Sequence, residues 1–338
     1  MTRRNAFKPL ARSEYRMAQM VSSKSNQVSG STHGLSRTSN RLPTDVSANS
    51  ALTWAVELMA AAGVDTPRLD AELLLCEALG WRRARLYAYP EHPLSRIERS
   101  MFRHLAKRRL DREPLAYLLG RKEFFGLDLQ VDRRVLVPRP ETEVLVELAL
   151  SWLEATPPPE AGFKVADVGT GSGAVAIALA RHATAIRVYA LDLSEKALEV
   201  AQANCNHHGV SARVELLRGD LLAPLRDRVD LIVANLPYVS LAELETLPPE
   251  ISTYEPRVAL DGGPDGLDLV RRLLGQAAEH LRHRGAILLE IAATHGPTAL
   301  ALAARFFPGA RIDLHRDLAG RDRVLEIHTG GTIGKVTS

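Results

Sequence analysis

The chain has 338 residues, of which 46% are hydrophobic, and a formal net charge of +3. This is room for about two domains of ordinary globular composition. No apolar run approaches the roughly 20 residues that cross a bilayer, which excludes a membrane-spanning helix. The two cysteines, Cys76 and Cys205, form no CxxC pair and indicate neither a disulfide framework nor a zinc site. We therefore expect a cytoplasmic protein without a metal.

The charge is unevenly distributed along the chain. Residues 1–42 carry a charge of +7, which leaves 35 basic and 39 acidic residues in the remainder. A mildly acidic remainder lacks the positive field of a general nucleic-acid binder, so nucleic acid is not an expected partner. Residues 1–50 are rich in Ser, Arg, Asn and Thr without periodicity, and residues 331–338 would form a flexible tail.

The N-terminal 50 residues allow three interpretations. The composition predicts disorder. It is also compatible with a transit peptide, which is Arg- and Ser-rich and poor in acids. A start codon assigned too early is the third, because Met17 and Met20 follow the first methionine.

Residues 51–113 show apolar residues at helical spacing. One helix starts the segment, Pro67 would begin a second that Gly80 ends, and a third falls within 97–110. The segment is predicted to be a small helical bundle. It could be a scaffold or a recognition domain for a macromolecular substrate, and periodicity does not choose between them.

Residues 114–137 have the pattern of a linker with a β-hairpin, in which two short strands flank Gly126. A helix is predicted from Pro140 to about Ala155, where three prolines follow.

After this point strand and helix patterns alternate, which predicts an α/β fold with a doubly wound sheet of seven strands. The predicted strands are 164–168, 187–191, 213–217, 230–234, 286–291, 311–314 and 324–328. The predicted helices are 174–182, 194–208, 266–283 and 296–306. The last two strands lack an intervening helix and would form an antiparallel pair at one edge. Ligands of such folds bind at the carboxyl ends of the strands.

A glycine loop follows the first of these strands and consists of Gly169, Thr170, Gly171, Ser172 and Gly173. Glycines allow a tight turn and close approach of the backbone to a ligand. Asp192 ends the next strand, where an acid can accept hydrogen bonds from ribose hydroxyls. The pattern fits a nucleoside cofactor, with a nicotinamide cofactor or an empty glycine turn as alternatives.

Asp220 and Leu221 follow the third strand. Asp220 could accept a hydrogen bond from an adenine amino group, with Leu221 against the ring. A simple turn aspartate is the alternative.

The most informative motif ends the fourth strand and consists of Asn235, Leu236, Pro237 and Tyr238. Methylating an amide nitrogen requires acceptors that hold the NH₂ protons, so that the lone pair can face the methyl group. The Asn235 side-chain oxygen and the Leu236 carbonyl would be those acceptors, Pro237 would stiffen the turn, and Tyr238 would offer a ring face. Beside the glycine loop, this motif indicates methyl transfer from S-adenosylmethionine to an amide or amine. An Asn-x-Pro turn without function is the alternative.

Further motifs extend this pattern over residues 51–330. They are PLAYLLG at 114–120, EFFG at 123–126, VPRPETE at 137–143, YEPR at 254–257, GGPDGL at 262–267 and RDLAGRDR at 316–323. With them the chain resembles the PrmC/HemK family of protein-glutamine methyltransferases.

This resemblance implies a class I, Rossmann-like methyltransferase domain over 138–330. The implied reaction transfers a methyl group from S-adenosylmethionine to the glutamine amide in the Gly-Gly-Gln motif of class I peptide-chain release factors. The residues implied to bind the cofactor are Gly169, Thr170, Gly171, Ser172, Gly173, Asp192, Asp220, Leu221 and Asn235. Those implied to bind the substrate are Asn235, Leu236, Pro237, Tyr238 and Arg139. The helical domain would help to dock the release factor, and a monomer is expected.

Two positions depart from the family pattern. Leu236 stands where the family usually has Pro, and the same Asn-Leu-Pro-Tyr sequence occurs in adenine methyltransferases. Residues 290–296 read EIAATHG where the family has Glu-Ile-Gly-x-x-Gln-Gly. Methylation of a ribosomal-protein glutamine or of adenine therefore remains an alternative, as does a binding module without activity.

Overall fold

The computed structural model describes residues 46–330. The predictions for the N-terminal residues up to 45 and for the tail 331–338 concern residues outside this range. Within the described range, every helix is too short or too polar to cross a bilayer.

The helical segment contains the three predicted helices and one short helix that the spacing did not predict, and a second short helix lies at the start of the predicted linker. In chain order these helices are α1 (Ala48–Ala61), α2 (Pro67–Leu79), α3 (Arg83–Ala88), α4 (Arg96–Leu110) and α5 (Leu115–Leu119). Local signals explain their bounds. Gly80 ends α2 in the left-handed conformation with φ 64°, and Ser95 and Glu98 form a capping box at the start of α4.

The predicted hairpin is present as β1 (Arg121–Phe124) and β2 (Leu127–Gln130), which pair antiparallel. Phe125 and Gly126 connect them with φ values of 51° and 76°, as a two-residue hairpin turn requires. The predicted helix from Pro140 begins as a 3₁₀ turn over Pro140–Thr142 and continues as α6 (Glu143–Ala155).

A seven-stranded sheet with helices on both faces follows, which confirms the predicted fold class. The strands are β3 (Phe163–Val168), β4 (Ile186–Asp192), β5 (Val214–Arg218), β6 (Val229–Asn235), β7 (Leu281–Glu290), β8 (Arg311–Arg316) and β9 (Asp322–His328). Their order is β5-β4-β3-β6-β7-β9-β8, and β9 pairs antiparallel with both β7 and β8 at the predicted edge.

The helices of this part are α7 (Ala174–His182), α8 (Glu195–His207), α9 (Leu241–Leu244), α10 (Pro249–Ser252), α11 (Asp268–His280) and α12 (Gly296–Phe306), with a 3₁₀ turn at Arg257–Ala259. Helices α6, α7 and α8 cover one face of the sheet, and α11 and α12 cover the other. Successive residues of β6 alternate between the two cores, as the pleat requires.

One boundary was wrong. Residues 281–283, predicted as the end of helix 266–283, form the start of β7. Leu281 is buried and pairs with Val229, so its burial in the sheet outweighs the helical pattern that precedes it.

An ion-pair cluster joins the helical segment to the segment after β6. The Glu250 carboxylate accepts hydrogen bonds from Arg109 Nη1 at 2.9 Å and Arg112 Nε at 2.6 Å, and Arg109 Nε also donates to Asp70 at 2.7 Å. Burial raises the pKa of Glu250, but the hydrogen bonds from the two arginines hold it below its usual value overall. The helices are thereby fixed beside the loop that carries part of the site.

Asn204 on α8 joins the hairpin to the glycine loop. Its Oδ1 accepts from the Gln130 backbone N at 2.8 Å, and its Nδ2 donates to the Gln130 and Ser172 carbonyl oxygens at 3.0 and 2.9 Å. The side chain is fully buried, so no water can replace these partners.

We expect Asn204→Ala to lower the free energy of unfolding by about 1–3 kcal/mol, because the substitution leaves buried backbone groups unpaired. Chemical denaturation of the variant and the parent measures this difference. Gln202→Ala on the exposed side of the same helix is the matched control and should change stability by no more than about 0.5 kcal/mol. Equal losses in the two variants would contradict the role of Asn204.

Candidate active site

The glycine loop connects β3 to α7 and has a fixed backbone. Gly169, Gly171 and Gly173 have φ values of 76°, 56° and 82°, which favour glycine. The N–H groups of Gly169 and Thr170 both donate to the Leu191 carbonyl, at 2.8 and 2.9 Å, so the loop is tied to the end of β4.

Asp167, the last residue but one of β3, anchors the loop from below. Its Oδ2 accepts from the Thr170 hydroxyl at 2.6 Å and from the Ala176 N–H at 3.1 Å. Complete burial raises the pKa of this carboxyl to about 6. Asp167 was given no role from the sequence, although its position two residues before Gly169 was a usable signal.

Asp192 lies at the carboxyl end of β4, as predicted. Its oxygens accept from the Gly171 N–H at 2.9 Å and from the Ser194 N–H at 2.8 Å. Burial raises the pKa of Asp192, and these backbone bonds partly offset that effect. The carboxylate is thus oriented by the loop, and each oxygen still has a lone pair for a ligand.

A cavity of about 530 Å³ opens between the loop and the carboxyl ends of the strands. The predicted residues that line it are Gly169, Gly171, Asp192, Asp220, Leu221, Asn235, Leu236 and Pro237. The predicted residues outside its lining are Thr170, Ser172, Gly173, Tyr238 and Arg139. Other residues of the lining were not predicted from the sequence, among them residues 134–136, Leu193, residues 256–259 and Arg272. Of these, all but Arg272, which lies on α11, come from connections whose sequences carry no periodic pattern.

Asp220 and Leu221 form the turn after β5. Leu221 is buried with φ 51°, which turns its side chain into the fold at a position where the backbone is strained for a non-glycine residue. The Asp220 carboxylate forms an ion pair with Arg272 on α11, and both groups are about half exposed. Its predicted bond to an adenine amino group would have to share this carboxylate with Arg272.

Asn235 ends β6 directly beside the glycine loop. The parallel pairing of β3 with β6 places Val168 opposite Ala234. A Cβ built on Gly169 would lie 3.3 Å from both the Asn235 carbonyl oxygen and Leu236 Cδ2. The structure therefore brings the two principal motifs of the sequence into contact.

The Asn235 side chain is held by Thr142, a residue of the VPRPETE motif that was given no role from the sequence. Asn235 Nδ2 donates to Thr142 Oγ1 at 3.0 Å. This bond leaves Oδ1 available as an acceptor, and no group within residues 46–330 donates a hydrogen bond to it.

Two glycines of the GGPDGL motif support the Asn235–Tyr238 turn from behind. A Cβ on Gly262 would lie 2.8 Å from both the Pro237 carbonyl oxygen and Tyr238 Cα, and one on Gly266 would clash with the Tyr238 carbonyl and with His295. Only hydrogen atoms fit at these two positions. The motif therefore fixes the shape of the turn.

Tyr238 is largely enclosed. Burial, together with the nearby Glu290, raises its pKa to about 12, so the phenol is neutral at physiological pH. Arg139 lies close by but is engaged, since its Nη2 donates to the buried Glu255 at 2.6 Å. Glu255 belongs to the YEPR motif, and its ion pair joins that motif to Arg139 of the VPRPETE motif.

Outside the cavity, Asp313, Glu326 and His328 bring possible metal-ligand atoms within 4.8 Å of one another on β8 and β9. These residues show no metal-ligand spacing in the sequence, because they meet only through the pairing of β8 with β9. Glu326 already accepts from His315 and His328 at 2.6 and 2.7 Å.

The strand order and the loops at the carboxyl ends define a class I methyltransferase. The solved structure of the human METTL16 catalytic domain in complex with the MAT2A 3′UTR hairpin 6 has the same fold, with a TM-score of 0.50 and 16% identity. That alignment covers 66% of this chain and 82% of the METTL16 chain. The model of the PrmC N-terminal domain matches residues 50–120, and that of the ribosomal protein L11 methyltransferase matches residues 145–254.

Several relatives align over nearly their whole length. The release factor glutamine methyltransferase of Moorella thermoacetica is 46% identical over 81% of this chain and 95% of its own. That of Geobacter sulfurreducens is 44% identical over 75% of this chain and 87% of its own. The chain belongs to the release factor glutamine methyltransferase family.

We expect Gly262→Ala to reduce methyl transfer by about 10²-fold, because the added Cβ displaces the Pro237–Tyr238 backbone. Steady-state rates of methyl transfer by the Gly262→Ala variant and by the wild type measure the effect. Gly275→Ala on α11 is the matched control, since its Cβ would meet only Phe306 at an ordinary 3.6 Å. Neither glycine has a positive φ, so alanine causes no backbone strain at either position and only the contacts of the added Cβ differ. A wild-type rate for Gly262→Ala would therefore show that the Asn235–Tyr238 turn tolerates displacement.

Proposed function

We propose that this enzyme transfers a methyl group from S-adenosylmethionine to the side-chain amide nitrogen of the glutamine in the Gly-Gly-Gln motif of class I release factors. The observation that carries the proposal is the contact of Gly169 with Asn235 and Leu236. It sets a cofactor loop and an amide-binding turn side by side at one edge of the sheet. The membership of the family supports the same substrate.

The cavity fits an adenosyl cofactor by the chemistry of its walls. Asp192 offers an oriented carboxylate for ribose hydroxyls, and Val168, Leu191, Leu221 and Leu236 offer aliphatic surface for a planar base. S-adenosylmethionine supplies an electrophilic methyl group on a sulfonium. The chain itself binds and orients the two reactants, and no covalent intermediate with the protein is required.

The amide is proposed to bind with its two N–H groups on Asn235 Oδ1 and the Leu236 carbonyl oxygen. Both acceptors draw electron density toward the nitrogen and align its lone pair. The carbonyl belongs to the backbone, so it is present with Leu236 just as it would be with the Pro that the family usually has at this position. Pro237 and Tyr238 would complete the pocket, and Arg139 could contact the substrate only near its pair with Glu255.

We assign the helical part, residues 51–113, to recognition of the release factor, with 114–137 as the linker and 138–330 as the catalytic domain. The Arg109 and Arg112 pairs with Glu250 support this assignment, because they fix the helices beside the segment that follows the Asn235–Tyr238 turn. Release factors act on ribosomes, so we propose the cytoplasm as the site of action.

Incubation with labelled S-adenosylmethionine and a purified class I release factor tests the proposal. Label should enter the release factor and should be lost when the glutamine of its Gly-Gly-Gln motif is replaced by Ala. Ribosomal RNA and ribosomal proteins in parallel reactions should stay unlabelled. Label in one of these instead of the release factor would refute the proposed substrate.

In the same assay Asn235→Ala should lower turnover by at least about 10²-fold, the usual loss when one preorganised polar contact is removed. Cofactor affinity, measured by calorimetry, should stay nearly constant, because Asn235 Oδ1 is proposed to bind the substrate amide and the other residues that line the cavity are unchanged. Turnover equal to wild type would show that the Asn235–Tyr238 turn does not hold the amide.

Asp192→Ala should weaken cofactor binding by about 10- to 10²-fold, because the charge-assisted bonds to the ribose are lost. Calorimetric titration with S-adenosylhomocysteine measures the dissociation constant. Asp128→Ala, an exposed acid on β2, serves as the control and should bind normally. An unaltered constant in Asp192→Ala would refute the ribose assignment.

A further inference from the structure

Glu290 is an unusual buried acid. It lies at the end of β7 with 2% of its surface exposed, and neither carboxyl oxygen makes a hydrogen bond of normal geometry with any residue in 46–330. Other buried acids of this chain have clear partners, such as Thr170 for Asp167 and Arg139 for Glu255. A buried polar group without a partner calls for a functional explanation.

Its position relates it to the amide-binding turn. In the parallel pairing of β6 with β7, Glu290 stands opposite Asn235. Thr142, which is also buried, interacts with both side chains. Its oxygen accepts from Asn235 Nδ2 at 3.0 Å. Burial raises the pKa of the Glu290 carboxyl, and the Thr142 hydroxyl opposes that effect.

The Thr142 hydroxyl has a single hydrogen, and its direction decides the orientation of the Asn235 amide. If that hydrogen points to Glu290, the oxygen can only accept, so Asn235 must present Nδ2 to Thr142 and Oδ1 to the substrate. If it points to Asn235 instead, the amide turns over and presents donors to the substrate NH₂ group.

We propose that Glu290 is a positioning residue that acts through Thr142 to hold the Asn235 amide with its oxygen toward the substrate. The inference rests on the proposed function and adds a residue to its site. Glu290 does not line the cavity and has no contact with the reacting atoms. In this chain Asn235 Nδ2 donates to Thr142 Oγ1, and an ionised Glu290 carboxylate would attract the hydroxyl hydrogen of Thr142, so that each polar contact strengthens the other.

The charge state of Glu290 follows from its surroundings. The charged and titratable groups that face it are Arg323 on β9, Tyr238 after β6, and Arg139 and Glu141 before α6. Burial is the main effect and raises the pKa of Glu290 to about 7, although the two arginines lower it. The ionised, orienting form therefore increases as the pH rises through neutrality, and turnover should increase with it.

The test measures kcat, KM for the release factor and cofactor affinity from about pH 6 to pH 8. In wild type, kcat should rise across this interval around a midpoint near 7. In Glu290→Gln this rise should disappear. Thr142→Val, which keeps the shape but removes the hydroxyl, should lower kcat by about 10- to 10²-fold with little change in cofactor affinity.

Thr142→Ser is the matched control, because it restores the hydroxyl and should keep kcat within about threefold of wild type. If Glu290→Gln does not fold, the serine and valine pair still tests the inference, because Glu290 can act on Asn235 only through the Thr142 hydroxyl. Wild-type kcat in Thr142→Val, or an unchanged pH profile in a folded Glu290→Gln, would overturn this inference alone. Failure of the wild-type enzyme to methylate the release factor would overturn the proposed function and this inference together.

Discussion

The parallel pairing of β3 with β6 sets Val168 level with Ala234, so the chain leaves the sheet side by side at Gly169 and Asn235. At this point two backbones approach so closely that a side chain on Gly169 would press on the Asn235 carbonyl and on Leu236. In the proposed reaction, the sheet itself would therefore set the distance between the cofactor and the amide. Loops can refine that distance but do not create it.

Buried acids hold the loops around this point. Asp167 and Asp192 each accept backbone N–H bonds from the glycine loop or its neighbours, and Glu255 holds Arg139. Burial raises the pKa of all three carboxyls, which is the effect expected when solvation by water is replaced by a few fixed donors. The site is thus rigid before any ligand arrives, as catalysis by positioning requires.

The sequence was sufficient for the strands, the hairpin, the glycine loop and the Asn235–Tyr238 turn, because each has a local pattern. Helices α3 and α5 have only 6 and 5 residues, too few for a periodicity to emerge. Thr142 is 93 residues from Asn235 in the sequence, and Gly262 and Tyr238 are also distant in the sequence but adjacent in the fold. Such partners are defined by the folded geometry, and a pattern in one sequence cannot reveal them.

The ion pair of Arg109 with Glu250 joins positions that are 141 residues apart in the chain. During synthesis the first helices leave the ribosome long before Glu250 has been translated. Until then Arg109 can pair with Asp70, but Arg112 lacks its partner, the Glu250 carboxylate. The N-terminal bundle can therefore complete this ion-pair cluster only after four strands of the catalytic sheet have been translated.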